Sequence, residues 1–161
     1  YLDVMSSLKE CILGINSIKS FKKDILIGIH IRKNGKLPSG ENLFSVVKKL
    51  EKYKPMGIIV SCVSIEDVAF VIKGLKKLNT PYGFKINAFE HIPAGWKPDS
   101  NNPKVQLGKR NDLTPNKFAK ICIKFNKLGA NILGGCCEIT PSHIKKLKNL
   151  MWFYYFLSNS I

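Results

Sequence analysis

The stretch GIIVSCVSIEDV, residues 57–68, contains the transition that decides the fold. Its first seven residues are mostly apolar and rich in β-branched side chains, which predicts a buried strand. Ser64, followed three residues later by Asp67, resembles a capping box and predicts that a helix begins directly after the strand. Apolar residues then recur at helical spacing from Val68 to Leu75. A strand followed at once by an amphipathic helix is the repeating unit of a parallel α/β sheet.

The same alternation continues on both sides of this unit. Three further apolar runs predict strands, at residues 24–31, 82–89 and 130–135. Amphipathic helices are predicted around them, at residues 1–18, at residues 43–53, after Thr114–Pro115 and after Thr140–Pro141. Threonine followed by proline favours a helix start, because the hydroxyl caps the first turn and proline needs no hydrogen-bond partner there. The predicted order α-β-α-β-α-β-α-β-α favours one parallel sheet covered by helices.

The length of the chain limits how much of such a fold it can form. A complete (β/α)₈ barrel takes about 250 residues, whereas this chain has 161. We therefore expect the α/β fold of residues 1–150 to be the C-terminal half of a (β/α)₈ TIM-type barrel, with four parallel strands alternating with helices. A small complete open sheet is the alternative. Residues 151–161 form an apolar tail, which is either a short interfacial helix or a segment packed against the rest of a larger domain.

Composition excludes several classes of protein. A hydrophobic fraction of 45% is typical of a globular domain. The net charge of +15 would suit a polyanion, but the lysines are spread along helix faces without the interleaved aromatic residues of a stacking platform, so we expect no nucleic-acid partner. No apolar run reaches the roughly 20 residues of a membrane span. Five cysteines without a leader-like beginning favour a reducing cytoplasm.

Three of the five cysteines fall where two predicted strands end. Cys62 lies near the end of the strand 57–63, and Cys136 and Cys137 directly follow the strand 130–135. Because the carboxyl ends of parallel strands meet at one edge of the sheet, we expect the three thiols to converge there. Three thiolates suit zinc and leave its fourth position open, which is typical of catalytic zinc. A vicinal-dithiol redox pair, without a C-x-x-C motif, and an incidental pairing are the alternatives.

The other two cysteines have different surroundings. Cys122 falls on the apolar face of a predicted helix and Cys11 beside one, so both are predicted to be core residues. Gly134 and Gly135 precede the paired cysteines, and we expect them to let the backbone turn tightly and to let a ligand approach.

Several motifs together resemble one protein family. GANILGGCCEITPSHI, residues 129–144, resembles the C-terminal signature of the zinc-dependent homocysteine S-methyltransferases, which carry Gly-Gly-Cys-Cys, then Thr-Pro and, after a short gap, His-Ile. Residues 57–68 resemble the strand of this family that ends in Asn-Cys, with Ser61 in place of the asparagine. YGFKINAF, residues 82–89, resembles a later strand ending around Asn-Ala, and NGKLPSGENL, residues 34–43, resembles the loop before these strands.

The resemblance implies a function and a set of site residues. It implies the (β/α)₈ barrel, Zn²⁺ held by Cys62, Cys136 and Cys137, and transfer of a methyl group from a small-molecule donor to the thiol of homocysteine, giving methionine. Asn87 matches an asparagine near the substrate, and we expect Gly134 and Gly135 to border the substrate as well. The alternative is a truncated, non-catalytic half-barrel that binds zinc or needs a missing N-terminal half.

The remaining candidate residues receive structural or peripheral roles. When the atom that carries the methyl group in the donor is cationic, the leaving group departs as a neutral molecule and needs no general acid. We therefore assign His30, His91 and His143 no role in the chemistry. Glu138–Ile139 departs from the Gly-Thr or Arg-Thr that is commoner in the family. Trp96 lies in a long polar loop, roughly residues 90–113, and is predicted either to cover the site as part of a lid or to be a surface anchor.

Overall fold

A computed structural model describes residues 1–90 and 107–158, with side chains as far as residue 155. Strands and helices alternate along these ranges. The strands are β1 (Leu2–Met5), β2 (Leu26–Ile29), β3 (Gly57–Val63), β4 (Tyr82–Ile86) and β5 (Ile132–Gly135). The helices are α1 (Leu8–Ile18), α2 (Leu43–Leu50), α3 (Ile65–Leu75), α4 (Pro115–Lys127) and α5 (Pro141–Ser158). Short 3₁₀ turns occur at Lys19–Phe21, Lys33–Gly35 and Glu51–Tyr53.

The five strands form one parallel sheet in the order β1-β2-β3-β4-β5. Each strand therefore lies beside the strand that precedes it in the chain, with no reversal of order such as a doubly wound sheet contains. Because crossovers between parallel strands are right-handed, this order places the helices on one side of the sheet. The arrangement is that of consecutive βα units of a TIM-type barrel, which confirms the predicted fold class.

The N-terminal segment differs from the prediction. Residues 1–18 were expected to form one helix, but Leu2–Met5 pairs with β2 as a strand, and α1 begins only at Leu8. Within the described residues the sheet therefore has five strands rather than four. Val4 has a φ of 56°, and the register shifts between Leu2 and Met5. This strand is short and irregular, and its residues do not alternate between apolar and polar. Met5 continues the helical spacing of the apolar residues that follow it, which is why the sequence predicted a helix here.

The other boundaries follow the local signals in the sequence. β3 spans the predicted residues 57–63. Ser64 caps α3, since its Oγ accepts the Asp67 N–H at 3.1 Å. Thr114 caps α4 in the same way, and Pro115 occupies the first turn. Each strand is thus joined to its helix by turn chemistry that holds the strand end in place.

The core lies between the sheet and the helices. Phe84 of β4 is fully buried, and its ring centroid lies 5.7 Å from that of Phe125 in α4. Cys11 and Cys122 are fully buried in the same core, which confirms their predicted structural role.

Residues 151–158 continue α5 rather than forming a separate element. Trp152 is 74% exposed and Tyr155 71%. None of the helices in the described ranges combines the length and the apolar character that a bilayer crossing requires. Trp96 and His91 lie outside the described residues.

Candidate metal centre

Three thiols that are distant in sequence lie together at the carboxyl edge of the sheet. The Cys137 Sγ lies 3.8 Å from the Cys62 Sγ and 3.8 Å from the Cys136 Sγ. All three sulfur atoms lie within 4.8 Å of one another. The structure thus brings together the three cysteines at which the sequence predicted a metal site.

A local distortion of β3 directs Cys62 towards the other thiols. Cys62 has a φ of 56°, and the pairing of β3 with β4 shifts register between Ser61 and Val63. An L-residue in this left-handed region costs about 1–2 kcal/mol. An irregularity of this kind at the end of a strand re-aims a side chain that would otherwise follow the alternation of the strand. The strained backbone at Cys62 therefore turns its sulfur towards the other two thiols.

The turn that carries Cys136 and Cys137 is fastened to the end of β4. The Cys136 N–H donates to the Ile86 carbonyl at 2.8 Å, and the Ala88 N–H donates to the Cys137 carbonyl at 2.9 Å. Glu138, with a φ of 64°, is the residue that reverses the chain. These contacts fix both cysteines relative to β4, so that the spacing of the sulfurs depends on how β4 and β5 pair.

Gly134 and Gly135, which precede this turn, lie within β5, and neither has a positive φ. The tight turn predicted at these glycines is therefore wrong, whereas the approach of a ligand to them stays a prediction. Their small size affects the local packing. A Cβ on Gly135 would overlap the side chain of Ile139, whereas a Cβ on Gly134 would come no closer than 3.7 Å to Lys85 Cγ. Gly135 lets the turn fold back on the strand, and Gly134 leaves room above the sheet.

The geometry fits a tetrahedral zinc ion. Two sulfurs that each lie about 2.3 Å from a tetrahedral zinc are about 3.8 Å apart. Both sulfur–sulfur distances to Cys137 are 3.8 Å. Among the described residues the donor set consists of three thiols, which are of the soft type that zinc accepts.

The proximity of the thiols separates their acidities. The nearby Cys62 thiol lowers the pKa of Cys136 to about 6. The same interaction, together with burial, raises the pKa of Cys62, and burial raises the pKa of Cys137. Cys136 is therefore the first of the three to carry negative charge. By contrast, burial raises the pKa of both Cys11 and Cys122 to about 12, which makes these thiols unreactive.

Asn87 lies directly beside this cluster. Its side chain is buried, and its Nδ2 lies 3.9 Å from the Cys62 Sγ, to which it donates. Its Oδ1 accepts the Phe89 N–H at 3.3 Å, which fixes the orientation of the amide. The structure places Asn87 against a candidate ligand, where it supports the negative charge of a Cys62 thiolate.

A polar network on the same side of the sheet was missed from the sequence. Lys85 Nζ donates to Asp3 Oδ2 at 2.5 Å and lies 5.2 Å from the centroid of the Tyr1 ring. The Tyr1 hydroxyl lies 2.9 Å from the hydroxyl of the fully buried Ser61. Assigning residues 1–18 to a helix hid Tyr1 and Asp3. A signal for Lys85 was present, because a lysine inside an otherwise apolar strand is unusual.

The segment after the long loop is tied to the same edge. The Arg110 guanidinium contacts Glu66 at 2.8 Å and Asp112 at 3.1 Å, and its backbone N–H donates to the Ala88 carbonyl. Hydrogen bonds from Arg110 hold the pKa of Asp112 well below its usual range. These contacts hold residues 107–113 near the end of β4.

His143 serves the packing of α5. It is buried, and its Nε2 lies 2.9 Å from the Leu113 carbonyl. Its Nδ1 accepts the Thr140 N–H at 3.2 Å. These two bonds are those of the tautomer protonated at Nε2, and they link the start of α5 to the chain before α4. His30 lies just after β2, with its Nδ1 3.2 Å from the Ser61 carbonyl.

Consecutive βα units with thiols at the ends of β3 and β5 define a TIM-type barrel protein with a cysteine-lined site. The family model of the homocysteine S-methyltransferases matches residues 1–151, so the chain belongs to that family. Among solved structures, the homocysteine methyltransferase MmuM from Escherichia coli, in an oxidized form, matches with a TM-score of 0.67 and 19% identity. The match covers 92% of this chain and 44% of that chain, and it shows the fold. No curated protein matches.

Proposed function

We propose that this chain provides the thiol-binding part of an enzyme that transfers a methyl group to the thiol of homocysteine, giving methionine. The observation that carries the proposal is the convergence of three sulfurs from β3 and the end of β5, which lie within 4.8 Å of one another, two of the pairs at 3.8 Å. Membership of the homocysteine S-methyltransferase family over residues 1–151 supports it. In this proposal Cys62, Cys136 and Cys137 hold Zn²⁺.

Zinc, when bound, supplies a Lewis acid that lowers the pKa of a coordinated thiol. The pKa of a free thiol is about 8.5, so only a few per cent of it is ionised at neutral pH. The chain provides the setting for this chemistry. Cys136 gives the first thiolate, and the Asn87 amide donates to the Cys62 sulfur. The buried ends of β3 and β4 fix the positions of these groups, so that the incoming thiol meets a preorganised site.

The substrates are proposed to be homocysteine and a small-molecule methyl donor. We expect Gly134 and Asn87 to border the substrate, because Gly134 has no side chain and Asn87 donates to the Cys62 sulfur. Gly135 contributes indirectly, since its lack of a Cβ allows the cysteine turn to fold. A cytoplasmic location agrees with free thiols but is an expectation from composition.

A second candidate function follows from the length of the chain. The chain spans less than half of the MmuM structure that it matches. We therefore consider a half-barrel that binds zinc without catalysis, or that becomes active only with an N-terminal half. In this case the metal site is intact but methyl transfer by the chain alone is absent.

Methyl transfer from labelled donors to homocysteine tests the two candidates. Sulfonium and quaternary ammonium donors are supplied separately to the purified chain, alone and with an N-terminal half from a family member. Label in methionine that disappears in a Cys136→Ser, Cys137→Ser double variant, but remains in Cys122→Ser, supports the enzyme. Label that appears only with the added half supports the second candidate. No label in either mixture contradicts the catalytic proposal.

A further inference from the structure

Lys85 is the charged residue of β4, and it pairs with Gly134 of β5, two residues before Cys136. We propose that Lys85 determines substrate specificity by binding the carboxylate of an amino-acid thiol whose sulfur lies at the three cysteines. This inference rests on the proposed function and names a residue that recognises a part of the substrate other than its sulfur.

The register of the sheet places Lys85 on the correct side. Lys85 pairs with Ser61 of β3 and with Gly134 of β5. Gly134 is two residues before Cys136, and side chains two apart along a strand point to the same face. Lys85 is therefore one strand away from the cysteine turn, on the face where Gly134 has no side chain to intervene.

The ammonium group has hydrogen-bonding capacity that the described chain does not use. A lysine offers three N–H donors. Within residues 1–90 and 107–155, Asp3 is the acceptor that Lys85 Nζ contacts, at 2.5 Å, and the Tyr1 ring lies against the charge. The lysine side chain is 23% exposed. Asp3 and Tyr1 thus hold the ammonium in place while leaving donors for a ligand.

The charge of Lys85 is secure in this setting. Burial would lower its pKa, but the hydrogen bond to Asp3 and the nearby charges raise it, so the group is cationic at neutral pH. The Lys85 ammonium complements the carboxylate of an amino-acid thiol that binds at the three cysteines.

Asp3 narrows the class of ligand. Its carboxylate lies next to the ammonium and repels a ligand of high negative charge, such as a phosphate dianion. A zwitterionic amino acid, with no net charge, meets less repulsion. The pair therefore suits an α-amino acid thiol better than a phosphorylated thiol or a thiol without a charged group.

Calorimetric titration of the zinc-supplemented chain tests the proposal. The probes are L-homocysteine and 3-aminopropane-1-thiol, which is the same molecule without the carboxylate. A charge-assisted hydrogen bond predicts that the wild type binds homocysteine about tenfold or more tightly than the amine thiol. Lys85→Met and Lys85→Gln should bring the ratio of dissociation constants to about one, and Lys85→Arg should restore part of the preference.

Lys109→Met is the matched control. Lys109 pairs with Glu138 at 3.3 Å beside the cysteine turn, so its loss removes one positive charge near the site. This variant should keep the wild-type ratio. A Lys85→Met protein that binds zinc and keeps the full preference overturns the inference while leaving the proposed function standing. A wild-type chain that binds neither thiol, alone or together with the N-terminal half used in the methyl-transfer test, overturns both.

Discussion

Replacing Gly135 with alanine tests whether the cysteine turn sets the geometry of the site. A Cβ at this position would overlap Ile139 and would lie 2.6 Å from its Cβ, well inside the distance at which carbon atoms can approach. Ile139 is β-branched and cannot rotate its own Cβ away, so the turn itself must move. Overpacking of this kind costs about 1–3 kcal/mol in the free energy of unfolding.

The displacement should also reach the thiols. Cys136 and Cys137 lie between Gly135 and Ile139, and their sulfurs must keep a spacing of 3.8 Å to share one tetrahedral ion. We expect Gly135→Ala to lower zinc affinity at least about tenfold, as loss of supporting structure around a metal site does. Urea unfolding of the zinc-free protein measures the stability, and competition with a chelator measures the affinity.

Gly134→Ala provides the matched control for both measurements. Its added Cβ would lie 3.7 Å from Lys85 Cγ and 3.9 Å from the Phe84 carbonyl oxygen, which are ordinary contacts. Its stability should be equal to that of the wild type or up to about 1 kcal/mol higher, because alanine restricts the unfolded chain. If Gly135→Ala keeps wild-type stability and zinc affinity, or if Gly134→Ala loses as much of both, the cysteine turn does not set the geometry of the site.

Three further predictions concern the supporting structure. Arg110→Met should lower the melting temperature at pH 7. Arg110 lowers the pKa of Asp112 in the folded state, so its contribution to stability is lost as Asp112 becomes protonated. The difference in melting temperature between wild type and variant should therefore narrow below about pH 4, as thermal melts at several pH values would show. Cys11→Ala and Cys122→Ala should each cost about 1 kcal/mol in urea unfolding while leaving zinc content unchanged, since both thiols are core groups. Tyr82→Phe should cost about 0.5–1.5 kcal/mol in the same assay, because its hydroxyl donates to a backbone carbonyl at 2.9 Å.

The parallel βα architecture could be predicted because its signals are local. The apolar run of β3, the serine cap at Ser64 and the Thr-Pro pairs at Thr114 and Thr140 each act within a few residues. The convergence of Cys62 with the cysteine pair also followed from these signals, since parallel strands carry their ends to one edge. Once the ends of the strands were predicted correctly, the cysteines at those ends could be expected to lie close together.

The parts that could not be predicted depend on contacts between distant segments. β1 is a strand because its backbone pairs with β2, and a four-residue edge strand has too little pattern to reveal this. The Lys85–Asp3 pair joins residues 82 positions apart, so no spacing rule could find it. The left-handed backbone of Cys62 and Glu138 was equally hidden, because neither residue type signals a positive φ in the way that glycine does.

In the proposed site, thiols from two strands share one metal ion, and the zinc content per chain measures whether they do. The wild type, purified and dialysed against zinc-free buffer, should retain one zinc ion per chain. Cys62→Ser should lose it even though the adjacent pair Cys136–Cys137 remains, and Cys122→Ser should retain it. A wild type without zinc, or a Cys62→Ser protein with its full content, would contradict the shared site.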